Sequence, residues 1–184
     1  MIIAAIRNAR DLEMAKRSRI TMIFCLNASI LTLEELVKTA HEAGKKIYVH
    51  MDLVEGIGKD KPGLEYVKQK GVDGIISTRV SLIKAAREVG LFTVQRFFIV
   101  DSQAVGTALE YIKASKPDMI EVMPGTVTKV IADLKNKIDI PIIAGGLIET
   151  KQEVDAALVN GAAAVSTSRQ ELWGRKKRIE YVKG

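Results

Sequence analysis

Cys25 is the only cysteine among 184 residues, which excludes a disulfide framework and any zinc site built on cysteine pairs. Histidine is nearly as scarce, with His41 and His50 the only two. No H-x-H pair or histidine cluster is therefore present, and neither a metal nor a cofactor is expected. No apolar run approaches the roughly 20 residues that cross a bilayer. Arg7, Arg10 and Asp11 interrupt the N-terminal apolar stretch too early for a secretion signal. A membrane partner is not expected; a cytoplasmic location is. Low-complexity and Pro/Gly-rich stretches are also missing, so linkers and disordered segments are not anticipated. What remains is 47% hydrophobic and 27% charged, the composition of an ordinary globular chain. Its length suits one domain covering residues 1–184. The net charge of +6 points to anionic partners without saying which.

Short β-rich runs alternate with helical stretches along the whole sequence. The runs are Ile2–Ile6, Ile20–Leu26, Lys46–Met51, Gly74–Thr78, Phe92–Phe98, Met119–Val122, Ile142–Ala144 and Ala163–Thr167. Between them the apolar spacing becomes helical, as in Leu33, Leu36, Val37 and Ala40, or Val127, Val130, Ile131 and Leu134. Thr32 with Glu35 and Thr150 with Glu153 have capping-box spacing. Gly44, Gly71, Gly90 and Gly161 stand where helices should end. Strands alternating with helices imply parallel crossover units. Eight such units share the 184 residues at about 23 each, which favours a compact, closed (β/α)8 TIM barrel over an open sheet.

Such barrels bind ligands at the C-terminal ends of their strands. In strand three, alternation puts Ile47, Val49 and Met51 on one face, with Tyr48, His50 and Asp52 on the other. The apolar face should meet the helices, leaving His50 and Asp52 directed into the barrel mouth. A purely structural histidine is the competing reading. Glu121, within the apolar strand Ile120-Glu121-Val122, requires a partner. Arg79 at the end of strand four and Arg96 in strand five are the candidate partners, and either has the bidentate fork to hold an anionic ligand instead. Strand seven leads into Gly145-Gly146 and strand eight into Ser166-Thr167-Ser168. The loops after strands seven and eight are the usual phosphate cradle of a TIM barrel, where glycines admit close backbone N–H groups and small hydroxyls add donors. A plain tight turn at Gly145-Gly146 is the alternative. No lysine falls clearly at a strand end, where a Schiff-base aldolase needs one.

Cations concentrate at both ends: Arg7, Arg10, Lys16, Arg17 and Arg19, then Arg169, Arg175, Lys176, Lys177, Arg178 and Lys183. Barrel closure would bring these ends together into one positive surface suited to nucleic-acid phosphates. Trp173 and Tyr181 interleave with the second cluster, as aromatics that stack on unpaired RNA bases do. A charge-rich final helix of no special function accounts for the same residues. No RRM, KH or helix-turn-helix signature accompanies them.

Together these segments resemble the glycerol-3-phosphate-responsive antiterminators, regulators of glycerol-uptake operons. The likeness is carried by Ala5-Ile6-Arg7, Val49-His50-Met51-Asp52-Leu53 and Ile75-Ile76-Ser77-Thr78-Arg79. It continues through Gln95-Arg96, Ile120-Glu121-Val122-Met123-Pro124-Gly125, Ala144-Gly145-Gly146-Leu147-Ile148, Val165-Ser166-Thr167-Ser168 and Leu172-Trp173. The segment Leu26-Asn27-Ala28-Ser29-Ile30 departs from it, since the family has a Gly- or Asp-containing stretch there. The resemblance implies a non-enzymatic sensor that binds glycerol 3-phosphate and acts on leader mRNA, so that transcription passes a terminator. It further implies that Gly145, Gly146, Thr167 and Ser168 hold the phosphate. His50, Asp52, Arg79, Arg96 and Glu121 would line the rest of the pocket, and Arg175, Lys176, Lys177 and Arg178 would face RNA. The alternative is an enzyme, an isomerase or phosphoester hydrolase acting on a small phosphorylated metabolite, with His50 or Glu121 as general acid or base.

Overall fold

A computed structural model describes residues 1–174. Among these residues eight strands, β1 (Ile2–Ile6), β2 (Met22–Cys25), β3 (Lys46–His50), β4 (Gly74–Ser77), β5 (Phe92–Phe98), β6 (Met119–Met123), β7 (Ile142–Gly145) and β8 (Ala164–Thr167), alternate with seven α-helices. These are α1 (Ala9–Lys16), α2 (Leu33–Glu42), α3 (Lys61–Gln69), α4 (Val80–Glu88), α5 (Ser102–Ser115), α6 (Thr128–Lys135) and α7 (Lys151–Val159). All neighbouring strands are parallel, and β1 pairs with both β2 and β8, so the sheet closes in sequence order. This is the expected (β/α)8 TIM barrel. Closure leaves no unpaired sheet edge and puts the first and last strands side by side.

Strict alternation builds two separate apolar layers. Ile3, Ala5, Phe24, Tyr48, Ile76, Val94, Met119, Ile143 and Ala164 point inward and fill the barrel. There the rings of Tyr48 and Phe92 meet edge to face at 5.5 Å, the geometry that aromatic quadrupoles prefer. The intervening residues, among them Ile23, Ile47, Val49, Ile75, Ile120, Val122 and Ile142, point outward beneath the helices. Each such fully buried aliphatic side chain contributes about 1.5–3 kcal/mol of transfer free energy.

Local chemistry sets many of the helix boundaries, although α2, α4 and α6 begin without a side-chain cap. Thr150 and Glu153 form the expected capping box at the start of α7. The four helix-ending glycines Gly44, Gly71, Gly90 and Gly161 all take positive φ. Thr32 does not cap α2. Its hydroxyl accepts from the Ser29 N–H at 3.0 Å instead, because the β2–α2 loop bends back here to pair with the β3–α3 loop. Ile30 N–H donates to Glu55 O at 2.9 Å and Glu55 N–H to Ala28 O at 3.0 Å across that pairing. Strand two is also shorter than the expected Ile20–Leu26, with ladder pairing confined to Met22–Cys25.

Candidate functional site

The inward-facing positions change character near the C-terminal ends of the strands. Below that level they are apolar. At it stand His50, Arg96, Glu121 and Ser166, all buried. Arg96 Nε donates to Glu121 Oε2 at 2.6 Å, and Ser166 Oγ donates to Glu121 Oε1 at 2.5 Å. Adjacent registers explain the meeting, since Arg96 is aligned with Glu121 across β5 and β6. Of the two arginines that sequence left open, Arg96 is therefore the partner of Glu121. Removing both charges from water costs several kcal/mol per ion before their attraction offsets it, so this pair is held in place by the closed barrel around it.

Gly145, on β7, makes that arrangement possible. A Cβ at this position would lie 2.3 Å from Glu121 Oε1 and 2.7 Å from Ser166 Oγ. Its lack of a side chain thus gives space to the carboxylate, a different reason for glycine from the close approach to phosphate expected of it. Gly146 meets a conformational demand instead, with φ of +73° followed by Leu147 at +57°. Two successive left-handed residues curl the β7–α7 loop over the barrel. For leucine that conformation costs about 1–2 kcal/mol. Gly125 N–H fastens the loop from the β6 side, donating to Gly145 O at 2.5 Å and Gly146 O at 3.1 Å.

Above the Arg96–Glu121 pair lies a cavity of about 260 Å³. Gly146, Leu147, Ile148 and Glu149 form one wall; Ser166, Thr167, Ser168 and Arg169 form another. Arg7, Leu26 and Met123 complete the rim, with Ala5 deeper in. Sequence reasoning missed Arg7 and Arg169 as residues of this site, and it read Ser166 as part of the cradle rather than as a donor to Glu121. Arg169 pairs with Glu149 at 2.6 Å, and Arg96 is matched by Glu121. No carboxylate among the described residues pairs with the Arg7 guanidinium, so the rim carries one uncompensated positive charge.

Thr167 is placed differently from a phosphate donor. Its hydroxyl donates to Ile148 O at 2.7 Å and accepts from Arg169 N–H at 3.1 Å. The proton is engaged, and the side chain fastens the β8 loop to the β7 loop. Asp52 and Arg79 are not among the residues lining the cavity. The strand ends at His50, and Met51–Leu53 form a single 3-10 turn, so alternation no longer aims Asp52 into the mouth. Its carboxylate accepts from Ser77 Oγ at 2.9 Å, Thr78 N–H at 2.8 Å and Thr78 Oγ1 at 3.2 Å, clamping the β4–α4 loop. Arg79 lies 3.4 Å from Asp52 and lines an open groove with Lys84 and Tyr111.

His50 does point inward, between Val49 and Met51 of the outer layer. Its Nδ1 has no hydrogen-bond partner among the described residues. Burial first, and the Arg96 charge second, lower its pKa to about 4, so the ring is neutral at pH 7. The unfolded chain binds this proton with a pKa near 6.5, and between about pH 6.5 and 4 it therefore holds more protons than the folded one. Stability from this group is fully present above pH 6.5 and falls as pH drops through that window, by about 2–3 kcal/mol. Urea denaturation at pH 7 and pH 4.5 checks this: His50→Leu should lose less stability than the unaltered protein over that interval, and equal losses contradict it.

The remaining candidates divide. Trp173 is buried, and its indole N–H donates to Thr167 O at 2.9 Å. It packs with Leu12 and Ala15 of α1, which removes it from base stacking. Arg175, Lys176, Lys177 and Arg178 lie outside the described residues. Among the described residues no cluster of His, Cys, Asp and Glu is positioned to hold a metal ion, and no helix is long and apolar enough to cross a membrane.

Comparison with known proteins adds a second line. The profile of a family described as glycerol-3-phosphate responsive antiterminator matches residues 2–173. The chain is similar to the crystal structure of a glycerol uptake operon antiterminator regulatory protein from Listeria monocytogenes. That similarity has a TM-score of 0.89 and 37% identity over 94% of each chain. A glycerol uptake operon antiterminator-related protein from Thermotoga maritima superposes with a TM-score of 0.85 and 34% identity, covering 94% of this chain and 96% of that one. The Escherichia coli K12 protein YgcP, described as uncharacterized, is 36% identical over 179 residues, 97% of this chain and 94% of its own length.

Proposed function

The chain belongs to the glycerol-3-phosphate responsive antiterminator family, and on that footing we propose that it binds glycerol 3-phosphate in the mouth cavity. Loaded in this way, it acts on the leader mRNA of a glycerol-uptake operon so that transcription passes a terminator. The observation that carries the reading is the cavity itself, walled by the β7 and β8 loops and bearing the uncompensated Arg7 charge. The phosphate sits at the rim. Backbone N–H groups around Gly146 and Ser168, with the Ser168 hydroxyl, donate to its oxygens, and Arg7 and Arg169 neutralise it. Gly145 and Thr167 serve this cradle indirectly, one by making room for Glu121 and the other by joining the two loops. The glycerol moiety points down toward Arg96, Glu121 and Ser166. His50 and Asp52 support that wall from the β3 side, and Arg79 supports it through Asp52.

This arrangement suits a cytoplasmic sensor better than a catalyst. Both Glu121 carboxyl oxygens are already engaged, one by Arg96 Nε and the other by Ser166 Oγ, which ties the group into a buried ion pair. His50 has neither a partnered Nδ1 nor a place in the cavity wall. Ligand joins the β7 and β8 loops through a common anion, and it shifts the population toward the RNA-competent form only by its differential affinity for the two forms. Arg175, Lys176, Lys177 and Arg178 supply phosphate contacts to the RNA. Filter retention of leader RNA tests this: retention rises when glycerol 3-phosphate is added, and it weakens with salt and when Arg175, Lys176 and Lys177 are neutralised. Retention indifferent to the ligand excludes the reading.

A further inference from the structure

Resting on that ligand assignment, we propose that the Arg96–Glu121–Ser166 cluster reads the oxidation state of the ligand's central carbon, accepting a secondary alcohol and rejecting the corresponding ketone. The argument is one of donors and acceptors. Glu121 is acceptor-only as a carboxylate, and each of its oxygens receives one bond, from Arg96 Nε and from Ser166 Oγ. A carboxylate has about four lone-pair sites, so capacity remains for a donor arriving from the cavity. Arg96 engages only its Nε with Glu121, leaving the Nη groups of its five-donor fork to offer protons. A group lodged between them must accept from Arg96 and donate to Glu121 at once.

Of an alcohol and a ketone at that carbon, only the alcohol does both. A ketone oxygen accepts from Arg96 but has no proton for Glu121, and its lone pairs face a buried negative charge. A phosphate dianion fails more severely at the same place, which sends it to the rim near Gly146, Ser168 and Arg7, where the Glu149 carboxylate is already paired with Arg169. The cluster therefore orients the ligand as well as selecting it. Sites built to hydrogen-bond a hydroxyl discriminate strongly against analogues lacking it, because their own buried polar groups are left unpaired.

Calorimetric titration of the unaltered protein with three compounds tests the proposal. These are glycerol 3-phosphate, dihydroxyacetone phosphate, and 3-hydroxypropyl phosphate, which lacks the central hydroxyl. Glycerol 3-phosphate should bind at least about 10-fold more tightly than either analogue. Dihydroxyacetone phosphate within about threefold of it overturns the inference while leaving the ligand assignment standing. If none of the three binds, the ligand assignment fails and the inference with it. Glu121→Gln adds an amide donor that a ketone oxygen accepts, so it should narrow the ratio between the alcohol and the ketone. An unchanged ratio in a folded Glu121→Gln protein contradicts the role given to Glu121. Should that variant fail to fold, the titrations of the unaltered protein decide the matter alone.

Discussion

Arg96→Met should lower the unfolding free energy by about 3–5 kcal/mol, because it leaves Glu121 buried without its cationic partner. Glu121 is 1% exposed and Arg96 8%, so neither charge has water to fall back on. For a domain of this size the loss corresponds to a melting temperature lower by about 10 °C, read by thermal denaturation at pH 7. The pair is a poor stabiliser in itself, and a second variant shows this. Replacing both residues, as Arg96→Met/Glu121→Leu, removes the stranded charge and should restore all but about 1 kcal/mol, the residue being the Ser166 hydroxyl without its acceptor. The double variant should nonetheless bind no glycerol 3-phosphate. A double variant that stays as unstable as Arg96→Met would mean that the ion pair is not the source of the loss.

Gly145→Ala is expected to be nearly as damaging, although it adds a single methyl group. The new carbon would stand 2.3 Å from Glu121 Oε1 and 2.7 Å from Ser166 Oγ, well inside van der Waals contact. The carboxylate must retreat, and with its two oxygens fixed by Arg96 and Ser166 it has no direction that keeps both bonds. Overpacking of this kind costs about 1–3 kcal/mol, and ligand affinity should fall at least about 10-fold as the cavity floor is rebuilt. The same substitution at Gly146 acts through the backbone, since its positive φ disfavours any side chain. Comparing the two by urea denaturation and titration separates crowding at the floor from strain in the loop. Unchanged stability and affinity in Gly145→Ala would contradict the role given to this glycine.

The barrel was legible because its two rules are local. Alternation within each strand assigns inward and outward faces, and it placed Tyr48 and His50 correctly. Crossover helices force parallel neighbours, and the number of units then requires closure. Legibility failed where the regular elements stop. Asp52 lies two residues beyond His50, but the chain has already turned into a 3-10 geometry, so the period-2 rule no longer applies. Thr32 carries the letters of a capping box, while a long-range pairing between two loops takes its hydroxyl. Nothing adjacent in sequence signals that pairing.

Charge was harder to read than hydrophobicity. Arg7 and Arg169 belong to the terminal cationic clusters, and proximity of the chain ends suggested a surface for nucleic acid. The same proximity, produced by pairing of β1 with β8, puts both residues at the mouth cavity. For Arg7 a local signal existed: Ala5 faces the barrel interior, and alternation carries that face to position 7. Trp173 shows the converse limit. An aromatic ring among basic residues looks available for stacking, yet the indole N–H is bound to Thr167 O beneath α1, a contact fixed by tertiary packing alone.

Titration of the unaltered protein and of Arg7→Ala with glycerol 3-phosphate tests the central claim most directly, since Arg7 is the rim cation that no carboxylate among the described residues balances. The account predicts saturable binding of one ligand per chain, weakened at least about 10-fold in Arg7→Ala with its melting temperature unchanged. No heat and no thermal shift at millimolar ligand, in protein that is otherwise folded, would contradict it.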